Sequence, residues 1–406
     1  MAPSIRPGAQ WLDTAGTPID AHGAGLMLDT DGRIWWYGSQ RQGHPCKLWN
    51  CRDGGINAYS SSDLYAWRFE GLVVPAFNDT NPRYTRNGLL LERPKVVRCT
   101  ARRDYVMWVR GTAPRNEPQA LAVLRADAPA GPWRLVRHFR HLGPRKLYQY
   151  ADATLFQDPR DGATYVYWRT QVYPVRDRRL GFHAMRLSDD CADTVDGSDT
   201  QIFVSAHHEA PAVFFAPPSV ARSAAGNNGD GTYYLWTGGT NGWRPAPVRL
   251  HRASSPLGAF NGSELAPPMP EPRMPGNAPP AQPGAWAFGS QCTFFVYVAD
   301  RWDTLKAHFG RYVWLPLYVD PLDASRVLVR WASEWRLDEE CSPFVTPPDG
   351  SDPLAACGWH NSSVERLKVV RPAEVRQKVL REAAERVVRA EPMIAPQSQQ
   401  NCAWPQ

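Results

Sequence analysis

From residue 209 the chain reads EAPAVFF, a single carboxylate opening an apolar run of strand length. Burying such a charge is costly unless it is paired or used. After a Gly/Asn-rich insert the chain continues DGTYYLWTGG, a turn and then an aromatic strand. The same order of polar head, apolar run, turn and aromatic strand recurs four more times. The other units are HGAGLMLDTDGRIWWYGS from His22, ERPKVVRCTARRDYVMWVRG from Glu92, DATLFQDPRDGATYVYWRT from Asp152 and QCTFFVYVADRW from Gln291. Short runs rich in Val, Phe, Tyr and Trp, bounded by Gly, Pro and Asp, read as strands.

Further strands follow the aromatic ones in AYSSSDLYAWRFEGLVV, LAVLRADAPAGPWRLV, FHAMRLSDDC and LHRASSPLGAF. VLVRWASEWRL at 327–337 would complete the last unit. A repeat of some tens of residues that holds several short strands and almost no helix predicts four-stranded blades around a central channel. The expected fold is all-β, a five-bladed β-propeller over residues 7–345.

Beyond about residue 345 the pattern stops, and PPDGSDPLAACGW reads as loop. PAEVRQKVLREAAERVVRA at 372–390 opens on a proline and carries apolar residues at helical spacing, which predicts an amphipathic helix. Residues 346–406 are therefore expected to form a short helical C-terminal extension ending in a flexible tail.

Composition narrows the function classes. At 43% hydrophobic the chain can bury a core and is not a disordered one. The formal net charge is +6, but the arginines are scattered, and RDRR at Arg176–Arg179 reads as a solvated loop. No nucleic-acid-binding motif is present, so no nucleic-acid partner is expected. No run of 18 apolar residues exists, so no membrane span is expected. The N-terminus shows no apolar leader segment. Three N-x-S/T sequons, at Asn78, Asn261 and Asn361, and an even count of eight cysteines nevertheless point to secretion. In a secreted protein Cys46 and Cys51 of CKLWNC are expected to form a disulfide. The cysteine spacing matches no zinc signature, and neither a metal nor a cofactor is expected.

In a propeller the first strand of each blade lines the axis, so the five heads should meet at one end of the channel. That gathers His22, Glu92, Asp152, Glu209 and Gln291. Three carboxylates in one pocket resist joint ionisation and raise one another's pKa values. Glycoside hydrolysis needs such a set, with one carboxyl protonated and others ionised beside it. Trp35, Trp36, Trp243 and Trp302 could stack on sugar faces, although most of the 17 tryptophans must be core.

These residues resemble glycoside hydrolase family 43, and within it the exo-β-1,3-galactanase-like branch. The resemblance covers roughly residues 10–340 and rests on WLDTAGTPIDAHGAG, WWYG, YSSSDLYAWRFEG, LERPKVV, YVMW, DATLF, EAPAVF, YYLWTGGTNGW, FGSQCTFFV, DRW and YVWLPL. It implies an inverting, exo-acting galactan 1,3-β-galactosidase working on a polysaccharide or oligosaccharide. A related family activity on arabinose- or xylose-capped chains, and a carbohydrate-binding propeller without catalysis, are the alternatives.

By the same resemblance Glu209 is the general acid, and Asp152 tunes and orients it. Gln291 positions the attacking water or relays its proton, and Glu92 contacts the terminal sugar. His22, Trp36, Trp243 and Asp20 complete the expected substrate-binding set. The usual first-blade aspartate base is replaced by Gly23. Asp20 is either a substitute base or a solvent-facing strand-edge residue. The chain departs from the branch at Ser39, where a glutamate is usual, and at Tyr150 and Ala151, where a Ser-Arg pair is usual. It departs again at Ala246, where an asparagine is usual.

Overall fold

The structure, a computed structural model, describes residues 4–41, 46–47, 50–51, 54–76, 90–112, 120–139, 142, 149–171, 181–204, 208–216, 231–239, 248–264, 291–294, 297–301, 311–315, 317–319, 327–329 and 334–335. Every regular element among them is a strand.

The first sheet holds β1 (His22–Leu28), β2 (Ile34–Ser39), β5 (Gly55–Ser61) and β6 (Arg68–Pro75), in that spatial order. A small ribbon of β3 (Cys46–Lys47) and β4 (Asn50–Cys51) interrupts it and sets Cys46 opposite Cys51. The second sheet holds β7 (Leu90–Arg98), β8 (Tyr105–Thr112), β9 (Ala120–Ala126) and β10 (Arg134–Phe139). The third holds β11 (Gln149–Gln157), β12 (Thr164–Gln171), β13 (Gly181–Arg186) and β14 (Thr200–Val204). The fourth holds β15 (His208–Ala216), β16 (Thr232–Gly239), β17 (Val248–Ala253) and β18 (Asn261–Glu264).

Each sheet is an antiparallel meander, and the four are arranged as propeller blades. The chain then forms a three-stranded sheet of β19 (Gln291–Phe294), β20 (Tyr297–Arg301) and β21 (Arg311–Leu315). A ribbon of β22 (Leu317–Val319) and β23 (Val327–Val329) follows. The expected helix at 372–390 lies outside the described residues. Among the described residues, no helix is long and apolar enough to cross a membrane.

The repeat heads become first strands because each apolar run is short and ends at a turn. In LDTDGR the Asp29 amide donates to the Arg33 carbonyl at 2.8 Å, and Gly32 takes a left-handed φ of 83° that closes the hairpin. The inner strands of the blades are buried on both faces while the outer strands β6 and β10 are largely exposed, so the core consists of layers between blades. Strand alternation divides the aromatic second strands between two layers. On β2, Trp36 packs with Tyr312 and Trp314, while Trp35 and Tyr37 face Met107 and Val96 of the second sheet. On β8, Trp108 turns toward Trp168 of the third sheet. On β12, Tyr167 turns toward Leu235 of the fourth.

The N-terminal segment is built into this arrangement. Ile5 and Trp335 exchange backbone hydrogen bonds of 2.8 and 2.9 Å, and both side chains enter the layer between the first sheet and β21. The first strands also meet one another: β1 packs on β7, β7 on β11, β11 on β15, and β1 on β19 and β20.

Candidate active site

The first strands of the four-stranded sheets share a distortion. Each bulges just after its head, with the register shifting between His22 and Gly25, Glu92 and Lys95, Tyr150 and Ala153, and Glu209 and Ala212. A bulge re-aims the neighbouring side chains and bends the strand. The residue after the head is left-handed in three of them: Gly23 at φ 65°, Arg93 at 56° and Ala210 at 71°. Glycine takes this conformation freely. A residue with a Cβ is held there at a cost of roughly 1–2 kcal/mol, and such strain concentrates at functional sites. Gly25 has a packing role instead, because a Cβ there would run into the Pro94 carbonyl of β7.

His22, Glu92 and Glu209 therefore occupy one register position. Asp152 does not share it: Tyr150 stands there, and Asp152 sits two residues deeper, inside its bulge. Asp152 nevertheless joins Glu92 through an arginine.

Cations from one sheet hold the carboxylates of the next. Arg41, two residues past β2, places Nη2 3.4 Å from Glu92 Oε1. Arg110 of β8 donates from Nη1 to Asp152 Oδ1 at 2.6 Å and lies 3.4 Å from Glu92 Oε2. Arg169 of β12 is ion-paired through Nη1 with Glu209 Oε1 on β15. Arg93 adds an Nε contact of 3.1 Å to Asp152 Oδ1.

The same rule returns with the signs exchanged at the first sheet. Asp300 of β20 accepts from the Gly23 amide at 2.8 Å and pairs through Oδ1 with His22 Nδ1 at 3.0 Å. Where the head is the uncharged Gln291, the preceding second strand ends Thr237-Gly238-Gly239, with no arginine at those positions.

All of these groups are withdrawn from solvent, Asp152 to 2% exposure and Glu209 to 7%. Pairing of this kind is what makes such burial tolerable. Burial pulls the Arg93 pKa down, opposed by Asp152 and Glu92. Burial, with the Arg93 charge beside it, pulls Lys95 well below the usual lysine range. Lys95 Nζ donates to the carbonyls of Gly23 and Ala24 at 3.1 and 2.7 Å, fixing the β1 bulge from the second sheet.

Arg110 thus links Glu92 with Asp152, Glu209 stands on the adjacent first strand with its own arginine, and His22 is tied to Asp300. Gln291 opens β19 directly opposite Asp300, but its side chain lies outside the described residues, as do Trp243 and Trp302.

Two expectations are corrected. Trp36 is not a sugar platform: it is 0% exposed, donates from Nε1 to the Ala21 carbonyl at 3.0 Å, and sits among Trp11, Trp67, Tyr312 and Trp314. Trp35 is buried in the neighbouring layer. Asp20 is not a solvent-facing aspartate either. It is buried, both of its carboxylate oxygens accept from the Arg41 amide at 2.8 and 2.9 Å, and Oδ1 lies 3.5 Å from His22 Nε2. Ser39, opposite His22, donates to the Leu91 carbonyl at 2.5 Å, next to Glu92.

Sequence reasoning missed Arg41, Arg110, Arg169 and Asp300. A signal for two of them was present, since WVRG and YWRT both place an arginine at the end of an aromatic second strand.

Carboxylates buried on the inner strands of a propeller are a set that glycoside hydrolysis can use. No protein-family model and no curated protein matches the chain, but solved structures do. A family 43 β-1,3-galactosidase bound to galactodeoxynojirimycin is similar at 26% identity and TM-score 0.65, over 82% of this chain and 100% of that one. The exo-β-1,3-galactanase of Phanerochaete chrysosporium with β-1,3-galactotriose is similar at 24% identity and TM-score 0.65, over 82% and 68%. A second family 43 β-1,3-galactosidase is similar at 24% identity and TM-score 0.65, and this chain spans 64% of its length. The chain is similar to solved family 43 β-1,3-galactosidases and exo-β-1,3-galactanases, and a glycosidase is the class of protein that this likeness supports.

Proposed function

We propose that the protein is an inverting, exo-acting galactan 1,3-β-galactosidase that removes terminal galactose from β-1,3-galactan chains. The carrying observation is the placement of Glu209 and Asp152 on adjacent first strands, buried together and each braced by an arginine of the preceding sheet. Glu209 protonates the departing glycosidic oxygen, and Asp152 fixes its neighbourhood. Glu92 accepts hydroxyls of the terminal sugar, and Gln291 steers a water to the opposite face of the ring. Galactan as substrate is supported by the likeness to enzymes solved with galactotriose and galactodeoxynojirimycin.

We read β19–β21 as the fifth blade, because β1 packs on it and Asp300 repeats the cross-sheet pairing. Secretion is part of the same reading, supported by the sequons, of which Asn261 is exposed on β18.

Ser39, bonded to backbone where the branch carries a glutamate, favours a second reading. In it a related activity acts on arabinose- or xylose-capped chains. A panel of β-1,3-galactobiose and aryl galactosides, arabinosides and xylosides separates the two.

The acid is tested with Glu209→Gln. Turnover of β-1,3-galactobiose is expected to fall by ~10²–10⁴-fold, and that of an activated aryl galactoside by much less, since a good leaving group needs little protonation. Equal losses on both substrates would remove Glu209 from that role.

A further inference from the structure

We propose that Arg169 is a positioning residue for the acid: its guanidinium, reaching from β12 to β15, orients the Glu209 carboxyl and governs when that carboxyl takes its proton. The proposal rests on the reading of Glu209 as the acid.

Three observations carry it. First, Arg169 Nη1 is ion-paired with Glu209 Oε1, and the two side chains are each only 9% exposed, so the contact is little screened by water. Second, the strand register places Arg169 deliberately. Thr170 faces Tyr150 and Trp168 faces Ala153, which leaves Arg169 opposite the Ala151–Asp152 bulge. Position 151 is where the resembled branch has its arginine, so this chain carries a guanidinium across the same bulge on the partner strand. Third, the pairing repeats. Arg41 serves Glu92 and Arg110 serves Asp152 in the same sheet-to-next-sheet sense.

A guanidinium beside a carboxyl favours the ionised form, whereas a general acid must begin protonated. In the free enzyme Arg169 therefore holds Glu209 as a carboxylate in one rotamer. As sugar enters, its hydroxyls take over part of the guanidinium's hydrogen bonding, and Glu209 gains its proton next to the leaving oxygen. The only covalent change before the glycosidic step is the O–H bond formed at Glu209, its proton supplied by solvent water in equilibrium with the medium.

The test compares Arg169→Met, Arg169→Gln and Arg169→Lys in the full chain, with thermal scans to establish folding. The neutral variants are expected to move the alkaline limb of kcat/KM on β-1,3-galactobiose upward by ~1–3 pH units, while Arg169→Lys stays near wild type. Carbon-13 NMR titration of labelled glutamate carboxyls, with the Glu209 signal assigned from Glu209→Gln, should show the same rise without relying on activity. An unchanged titration in the folded neutral variants would overturn the proposal. If the wild type hydrolyses no glycoside while the titration still moves, the pairing stands and the enzymatic reading of the site falls.

Discussion

Trp36 shows how a side chain can carry sugar-binding chemistry on paper and a structural task in the molecule. Its ring contacts Tyr312 at 4.7 Å, Trp314 at 5.0 Å and Trp67 at 5.2 Å between centroids, joining the first sheet to β21. Truncating a large buried aromatic removes its transfer free energy and leaves a cavity. Trp36→Ala is expected to lower unfolding stability by ~3–5 kcal/mol in urea denaturation, with Trp36→Phe intermediate. The Michaelis constant of the folded fraction should not change. A raised Michaelis constant with intact stability would restore the stacking role. Sequence alone could not separate these outcomes. Inner blade strands are buried on both faces, so WWYG gives no polar side from which to read which tryptophan faces what. The carboxylate heads were legible for the opposite reason: a charge opening an apolar run stands out. Their arginines were not, because each partner lies 40 to 51 residues away and its pairing is set only by packing between sheets.

At the scale of elements the sequence was more informative. His22 and Gln291 open β1 and β19, and Glu92, Asp152 and Glu209 fall within β7, β11 and β15. The phrases beginning AYSSSDLYAW, LAVLRADAP, FHAMRL and LHRASS supply β5, β9, β13 and β17. The bulges could not be read, since an extra residue in one strand shows only against its partner. That is why Asp152 looked equivalent to Glu92 and Glu209 although Tyr150 holds that register.

The hairpin of β16 and β17 has a consequence for pH. His251 is buried, its Nε2 lies 3.0 Å from Thr237 Oγ1, and burial, with His208 and Arg249 nearby, pushes its pKa from 6.5 down to about 3. Between those values the unfolded chain binds a proton that the native state refuses, so this residue's contribution to stability falls as pH drops through that window. From pH 7 to pH 4.5 the wild type should lose ~2–3 kcal/mol through this residue. His251→Gln should lose correspondingly less over the same interval. Parallel urea curves at the two pH values check this, and identical pH slopes would mean that His251 titrates normally in the fold.

At the scale of the whole molecule, a propeller is only as rigid as its seam, because every other blade boundary is covalently continuous and widely packed. Here the last described strands meet the first sheet through the aromatic layer around Trp36 and a set of buried polar contacts. Asp300 spends one oxygen on the Gly23 amide and the other on His22, the Tyr312 hydroxyl accepts from Ala21, and Ile5 pairs with Trp335. Asp300 is 1% exposed, so removing its carboxyl leaves an amide donor and an imidazole in a dry place, where an unmet polar group costs ~1–3 kcal/mol. Asp300→Ala is expected to lower stability by ~2–4 kcal/mol, with Asp300→Asn nearer the lower end, since an amide can still accept from one of the two donors. The loss should also be local. Hydrogen exchange followed by mass spectrometry should accelerate together in peptides spanning β1 and β20, while those spanning β8 and β12 keep their protection. Because Gly23 sits in the bulge beside Lys95 and Arg93, the loosened seam should also weaken galactose binding, even though Asp300 belongs to none of the sugar-contacting residues proposed above. Exchange that rises uniformly over all sheets would show instead that the blades unfold as one unit and that Asp300 is an ordinary core pair.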